Sequence, residues 1–256
     1  MSELQHRLDE LLHTLEYPEV EHGQLLRLML LLADVPTPPD AARSFPRYDE
    51  FKQDFLSCAE GEDGDALEEA FLNLYAHLHM HEARYTPDER QRMDDAGGYW
   101  AHAGGLSPIL KAEPWIGPDT VSADLGAGNG LQGLLLQYLY PHRKTIQVEI
   151  SSGMVELGKK LQAWLGVPAD RVEWRVGDVC DQTFSGIDFI YLYRPVRPST
   201  DRGRDFYGKL AHTLSESRTE VVVFSIADCL KDFLPPSFEM FYTDGHLTCF
   251  RGPGAA

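Results

Sequence analysis

The apolar positions along this 256-residue chain change rhythm partway. Over the first 115 residues they recur every three or four positions, the spacing that puts side chains on one face of a helix. Glu3 to Glu16 carries Leu4, Leu8, Leu11, Leu12 and Leu15 in that pattern, and Glu19 to Asp34 repeats it before Val35-Pro-Thr-Pro-Pro39 breaks the chain. Pro46 to Cys58 and Asp65 to Glu82 predict two more helices, separated by Glu60-Gly-Glu-Asp-Gly64. Thr86-Pro-Asp-Glu89 is a capping box with proline at the first helical position, so another helix begins there.

Beyond residue 116 short apolar runs alternate with amphipathic stretches. Strands are predicted over Thr120 to Ala123 and onward to Asp124, over Thr145 to Ile150, Val172 to Val176, Asp188 to Tyr193 and Glu220 to Ile226. Between them lie helices over Leu131 to Tyr140, over about Ser151 to Gly166 with Ser151 as cap, and over Asp201 to Ser215. A short helix over Ala227 to Leu234 should end at Pro235-Pro236. Phe238 to Tyr242 and His246 to Phe250 flank Thr243-Asp-Gly245, a hairpin signal. Repeated strand–helix units imply α/β architecture: a doubly wound, mostly parallel sheet with right-handed crossovers, closed by a C-terminal antiparallel hairpin and preceded by an all-helical N-terminal region. The expected division is 1–96 helical cap or interaction region, 97–115 connecting lid segment, and 116–256 ligand-binding domain.

The chemistry concentrates in Asp124-Leu-Gly126-Ala127-Gly128-Asn129-Gly130, between the first of these strands and its helix. A strand, a glycine-rich turn and a helix form a half-site for a nucleotide-like ligand, and glycines let the backbone approach it closely. Gly128 to Gly133 also spells G-x-G-x-x-G, with Glu149 at the distance where a dinucleotide fold keeps its ribose-binding acid. Asp124 points elsewhere. A carboxylate at that strand end would repel a pyrophosphate and suits a ligand carrying an ammonium group without phosphate. Glu149 closes the second strand, and Gly177-Asp178-Val179 the third.

With that ordered set of motifs the chain resembles the class I S-adenosylmethionine-dependent methyltransferases, over roughly residues 116 to 251. The resemblance implies a Rossmann-like sheet of the seven-stranded type and S-adenosylmethionine as cofactor. It implies that Gly126, Ala127, Gly128, Asn129 and Gly130 turn beneath the methionine part, with Asp124 toward its amino end. Glu149 would accept from the ribose hydroxyls, a bidentate role suited to a carboxylate. Ile150 would lie on the adenine, Asp178 would accept from the adenine amino group, and the Val179 backbone would read the ring edge. The terminal hairpin fits this family and not a dinucleotide fold.

Charge adds a further constraint. The chain carries 23 basic and 40 acidic side chains, a net −17. Residues 1–115 hold 9 basic and 23 acidic of these, so nearly all of the excess lies outside the cofactor fold. Such a surface repels phosphate backbones, so nucleic acid is not expected as partner. Four separated cysteines without a C-x-x-C read as reduced thiols of a cytoplasmic protein. The chain opens on an amphipathic helix, not a signal peptide, and its longest apolar run, Leu28 to Ala33, is too short to span a membrane.

Candidate catalytic groups are fewer. His77 and His81 would share a helix face, but H-E-x-x-H and a partner cluster are missing, so no metal is expected. Gly97 to Ile109 joins paired glycines to Tyr99, Trp100 and His102, reading as a segment that folds over the cofactor, with Tyr99 touching it and His102 as general base. After the fourth strand the N/D-P-P-Y/F tetrad of adenine and glutamine methyltransferases is replaced by Tyr193-Arg194-Pro195-Val196. Tyr193 could position an acceptor there, and Arg194 and Arg197 could hold an anionic group or pair with Asp201 or Asp205. Methyl transfer to a small-molecule substrate follows as the first reading, with a protein side chain as second. The alternative is a non-catalytic cofactor-fold protein that uses its acidic helices for a partner. Those helices could equally form a homodimer surface.

Overall fold

The computed structural model describes residues 2–79, 85–98, 105–217, 220–227 and 229–252. The helical region comprises α1 (Glu3–Leu12), α2 (Glu19–Asp34), α3 (Ala41–Ser44), α4 (Tyr48–Ala59), α5 (Gly64–His79), α6 (Pro87–Ala96) and α7 (Ser107–Leu110). Then follow β1 (Val121–Leu125), α8 (Leu131–Leu139), β2 (Lys144–Glu149), α9 (Ser152–Trp164), β3 (Val172–Val176), β4 (Phe189–Tyr193), α10 (Asp201–Ser215) and β5 (Val222–Ile226). The hairpin β6 (Glu239–Thr243) and β7 (Leu247–Arg251) ends the fold.

All seven strands form one sheet in the order β3-β2-β1-β4-β5-β7-β6. β1 to β5 are parallel, and β7 runs antiparallel between β5 and β6. The chain moves outward from β1 to β3 and then returns to β4 on the other side of β1. This reversal opens a crevice beyond the carboxyl ends of β1 and β4, where open α/β sheets bind ligands.

The two faces of the sheet have separate cores. One is built from Ile146, Val148, Ile190 and Leu192 against Phe206, Tyr207 and Leu210 of α10. On the other, Phe189, Tyr191 and Phe224 join a single cluster with Leu131 and Leu135 of α8 and with Leu8, Leu25, Phe55 and Phe71 of the helical region. The first helices therefore share their core with the sheet. Trp164 Nε1 donates to the Pro36 carbonyl at 2.8 Å, fastening the loop after α2 to the end of α9.

Two local expectations are corrected, and two short helices are added. Residues 229–234 form turns, not a helix: Phe233 and Leu234 N–H both donate to the Leu230 carbonyl, and Ala227 takes a left-handed φ of 62°. The short helices α3 and α7 have no long apolar period to announce them. α1 ends at Leu12, four residues early, because Thr14 turns its hydroxyl back onto the Leu11 carbonyl at 2.7 Å.

Gly158 of α9 sits where the helix meets the glycine-rich turn. A Cβ there would lie 2.2 Å from Cη2 of Trp174 and 2.7 Å from the Asn129 carbonyl oxygen. Alanine normally stabilises a helix by about 1 kcal/mol over glycine, but overpacking costs about 1–3 kcal/mol. Gly158→Ala should therefore lower stability despite its better propensity, and a urea denaturation midpoint above that of the parent would contradict this packing.

Candidate functional site

The crevice is floored by the turn after β1. Gly126, Gly128 and Gly130 all have positive φ, 82°, 58° and 71°, which only glycine adopts freely. At Gly126 a Cβ would also come within 2.7 Å of Pro195, so the turn and the loop after β4 are in contact. Asn129 is buried and donates from Nδ2 to the Leu78 carbonyl at 2.8 Å, tying the turn to the last residues of α5.

Asp124 ends β1 facing this space, 3% exposed. The Gly133 N–H bonds it, while its Oδ2 has no hydrogen-bond partner. Buried carboxylate oxygens are nearly always satisfied, so an orphan marks a place prepared for a donor. Burial, opposed by the Gly133 N–H and reinforced by the Glu149 charge, pushes the Asp124 carboxyl up to about 7. Glu149, 4% exposed, accepts from Gly128 N–H at 2.8 Å on Oε2 and from Ser151 N–H at 2.9 Å on Oε1. Burial outweighs these donors and pushes it to about 7 as well.

Above Asp124 stand three tyrosines that sequence reasoning did not join to it. Tyr191 faces Asp124 across the β1–β4 register, and its buried hydroxyl has no hydrogen-bond partner. Tyr75 of α5 accepts from Nε2 of Gln132 on α8, whose own Oε1 is unpartnered. Burial raises both phenols well above their ordinary range, with Asp124 adding to each. Tyr193 lies at the half-buried outer end of the group, its ring edge-on to His246 at 5.9 Å. Tyr191 and Tyr193 share a strand face with period two, a signal available in the sequence. The approach of Tyr75 and His246 is long-range and was not.

α6 crosses over Ile150 and the start of α9. Its capping glutamate, Glu89, accepts from Thr86 N–H at 2.7 Å and also from the Ser151 hydroxyl and Ser152 N–H at the start of α9. Burial opposes ionisation of Glu89, but these donors outweigh it and hold its pKa below the ordinary range. Tyr85 and Met93 pack with Met154 and with Ile150, where the adenine was expected. At its other end Gly98 bridges to Val196, and Arg197 N–H donates to the Gly97 carbonyl at 2.9 Å.

The remaining expected residues are dispersed. Asp178 caps the turn after β3 through Cys180 N–H at 2.9 Å and pairs with Arg202 of α10 at 2.9 Å. Burial alone would raise its pKa, but those two partners win and lower it. Val179 is buried in the α10-side core. Arg194 has a left-handed φ of 39°, unusual without glycine and located where β4 meets the crevice. His77 is occupied as an acceptor for Arg47 N–H at 3.2 Å, beside Phe45 and Phe51. Tyr99, Trp100, His102 and His81 lie outside the described residues.

The strand order, the turning glycines and the acids closing β1 and β2 are those of the class I S-adenosylmethionine-dependent methyltransferase fold. No family model matches the chain, and no curated protein does. Among solved structures it is similar to an RNA methyltransferase from Salinibacter ruber in complex with S-adenosyl-L-homocysteine, at 24% identity and TM-score 0.44 over 57% of this chain and 88% of that one. It is similar to TrmN from Thermus thermophilus at 16% identity and TM-score 0.43, over 57% of this chain and 46% of that one. An rRNA methylase from Streptococcus thermophilus matches at 11% identity and TM-score 0.41, over 59% of this chain and 95% of that one.

Because RNA methylases recur among these neighbours, the expectation that nucleic acid is excluded as partner does not stand. The net charge of −17 averages over the chain. Arg194, Arg197, Arg202, Arg204 and Lys209 follow β4 in the sequence, interleaved with Asp201 and Asp205, with Arg202 paired to Asp178 and Arg204 to Asp201. No helix among the described residues is long and apolar enough to cross a membrane.

The buried acid makes a pH signature. A carboxyl whose pKa rises on folding contributes stability that is whole below its ordinary value of 3.8 and is lost as pH climbs through its folded value near 7. Asp124→Asn removes this loss while retaining shape. The variant should melt higher than the parent at pH 8 and together with it near pH 4. Melting curves that stay parallel across that interval would show that Asp124 is not the titrating group.

Proposed function

We propose that the protein transfers a methyl group from S-adenosylmethionine, and the buried, unpartnered Oδ2 of Asp124 carries this reading. An ammonium group is the complement that a lone carboxylate oxygen in that position lacks. Gly126 and Gly128 would lie beneath the methionine part, and Asn129, Ala127 and Gly130 shape that turn. Glu149, its carboxylate already aimed by the N–H groups of Gly128, Ile150 and Ser151, keeps one of its four lone pairs for a ribose hydroxyl. Ile150, Tyr85 and Met93 would wall the adenine. Asp178 is engaged by Cys180 and Arg202, so the adenine edge is read in this proposal mainly by the backbone at Val179.

The cofactor supplies an electrophilic methyl on a sulfonium centre. The protein's share is positioning, which can account for most of the acceleration of such a displacement. Tyr193 would border the acceptor side, and His246, whose ring meets that of Tyr193 edge-on, joins His102 as a candidate to take a proton if the nucleophile carries one. The loop Arg194-Pro195-Val196 lacks the tetrad that holds an exocyclic amino group, so the acceptor atom is held differently here. RNA, the acceptor class named for several structural neighbours, is the first to assay.

Incubation with labelled S-adenosylmethionine and total RNA, metabolite extract or protein extract should give S-adenosylhomocysteine and a labelled acceptor in one fraction. Binding of the cofactor without turnover in any fraction would favour the non-catalytic alternative. Glu149→Ala should weaken S-adenosylhomocysteine binding by about 2–3 kcal/mol, the loss expected for a hydrogen bond to a charged group. The same loss should appear with adenosine analogues lacking methionine, measured by calorimetry, and an unchanged Kd in a folded variant removes Glu149 from the site. His246→Ala should lower kcat with little change in cofactor Kd, and wild-type turnover would exclude His246 as the base.

A further inference from the structure

The helical region contains a cluster of metal-ligating groups far from the crevice. His6, Asp9, Glu10 and His13 lie at i, i+3, i+4 and i+7 along α1, which places four such side chains on one helix face. The opposite face, Leu8, Leu11 and Leu12, is buried in the core. From α2, His22 reaches across and brings Nε2 within 2.8 Å of Oδ1 of Asp9. His13 Nδ1 lies 3.7 Å from the same oxygen, and the two imidazole rings are 4.3 Å apart. One ligand atom from each of Asp9, His13 and His22 falls within 4.8 Å of the others.

We propose that Asp9, His13 and His22 form a site for a zinc-type divalent cation joining α1 to α2. Zinc takes imidazole and carboxylate ligands at about 2.0–2.2 Å, so neighbouring ligand atoms in a tetrahedral site stand about 3.3 Å apart. The observed separations of 2.8 and 3.7 Å bracket that value; His13 Nδ1 bonds the Asp9 backbone carbonyl at 2.7 Å, and a rotation of the exposed ring that gives up this bond closes the set. Two imidazoles with one carboxylate suit zinc better than calcium or magnesium, which require oxygen ligands. The fourth position is left for water or for Glu10. His22 is only 13% exposed, which shelters the site on the protein side while His13 stays open to solvent at 68%. The surrounding field helps, because the first 115 residues carry 23 acidic against 9 basic side chains and concentrate cations.

The competing explanation is a plain interhelical hydrogen bond between Asp9 and His22, which would need neither His13 nor an ion. Metal-stripped full-length protein titrated with Zn(II), and with Co(II) as a coloured probe, separates the two. One equivalent should bind, Co(II) should show the visible bands of a four-coordinate ion, and the thermal midpoint should rise with Zn(II) and fall back with chelator. His13→Ala removes an exposed ring, so the fold is kept, and affinity should drop about tenfold or more, as it does even when groups that merely orient a ligand are lost. Asp9→Asn should do the same, whereas His212→Ala on α10 should leave binding unchanged. Absence of stoichiometric binding, or equal affinity in His13→Ala, overturns the site. None of these readings depends on methyl transfer.

Discussion

Asp124 and Glu149 stand at the ends of adjacent strands, both buried, and the Glu149 charge adds to the cost of ionising Asp124 as the Glu89 charge adds to that of Glu149. What holds them there is a set of backbone donors: the Gly133 N–H for Asp124, and the N–H groups of Gly128, Ile150 and Ser151 for Glu149. These donors exist only because the chain turns through three left-handed glycines and then starts α8 and α9 at the same edge of the sheet. The turn, the helix starts and the acids therefore depend on one another. Their combined effect is to leave one oxygen without a partner in a place where an unpaired acceptor destabilises the fold. A fold that tolerates such a group gains from a cationic ligand what it loses in its absence.

The sequence revealed the parts of this arrangement that are local. Asp124 to Gly130 lies within one strand–turn–helix unit, Glu149 closes the next strand, and the hairpin around Gly245 is marked by its own turn residues. Spacing alone suffices for such features. Tyr75, Gln132 and Tyr85 were not legible as site residues, because their partners lie some fifty or more positions away and only packing brings them together. Asp178 shows the opposite difficulty. Its place after β3 was right, yet the cation that occupies it, Arg202, comes from a helix start whose direction no local pattern encodes. Residues 227–234 misled for a third reason: a mixed stretch before two prolines looks helical, but at Ala227 the chain bends with its N–H meeting the His246 carbonyl at 2.7 Å.

Two non-glycine residues, Arg194 and Ala227, adopt left-handed backbone at the carboxyl ends of β4 and β5. Such conformations cost about 1–3 kcal/mol each and persist where surrounding structure over-determines them. Both follow directly on the paired residues Tyr193 and Ile226 at the carboxyl edge of the sheet. Pro195 against Gly126 and Val196 bridged to Gly98 fix the loop after β4 from two directions, so Arg194 has little freedom to relax. The loop after β5 is held by the terminal hairpin, which also delivers His246 to Tyr193. The antiparallel β7 is thus more than an edge cover, since its register with β5 sets where the hairpin loop meets the site.

The helical region is bound to this site unevenly. α1, α2, α4 and α5 share one core with α8 and the sheet, so displacing them would expose much of the apolar interior. α6 instead rests on a small separate cluster of Tyr85, Met93 and Met154 with Ile150. At one end Glu89 fastens it to the start of α9, and at the other Gly97 and Gly98 fasten it to the loop after β4. Elements with few buried apolar contacts open at lower free energy than the elements they cover. Lifting α6 breaks a handful of hydrogen bonds and uncovers three buried side chains, while leaving Tyr75, Asn129 and the glycine turn in place. Of the described elements, α6 is therefore the one whose removal would uncover Ile150 at least cost.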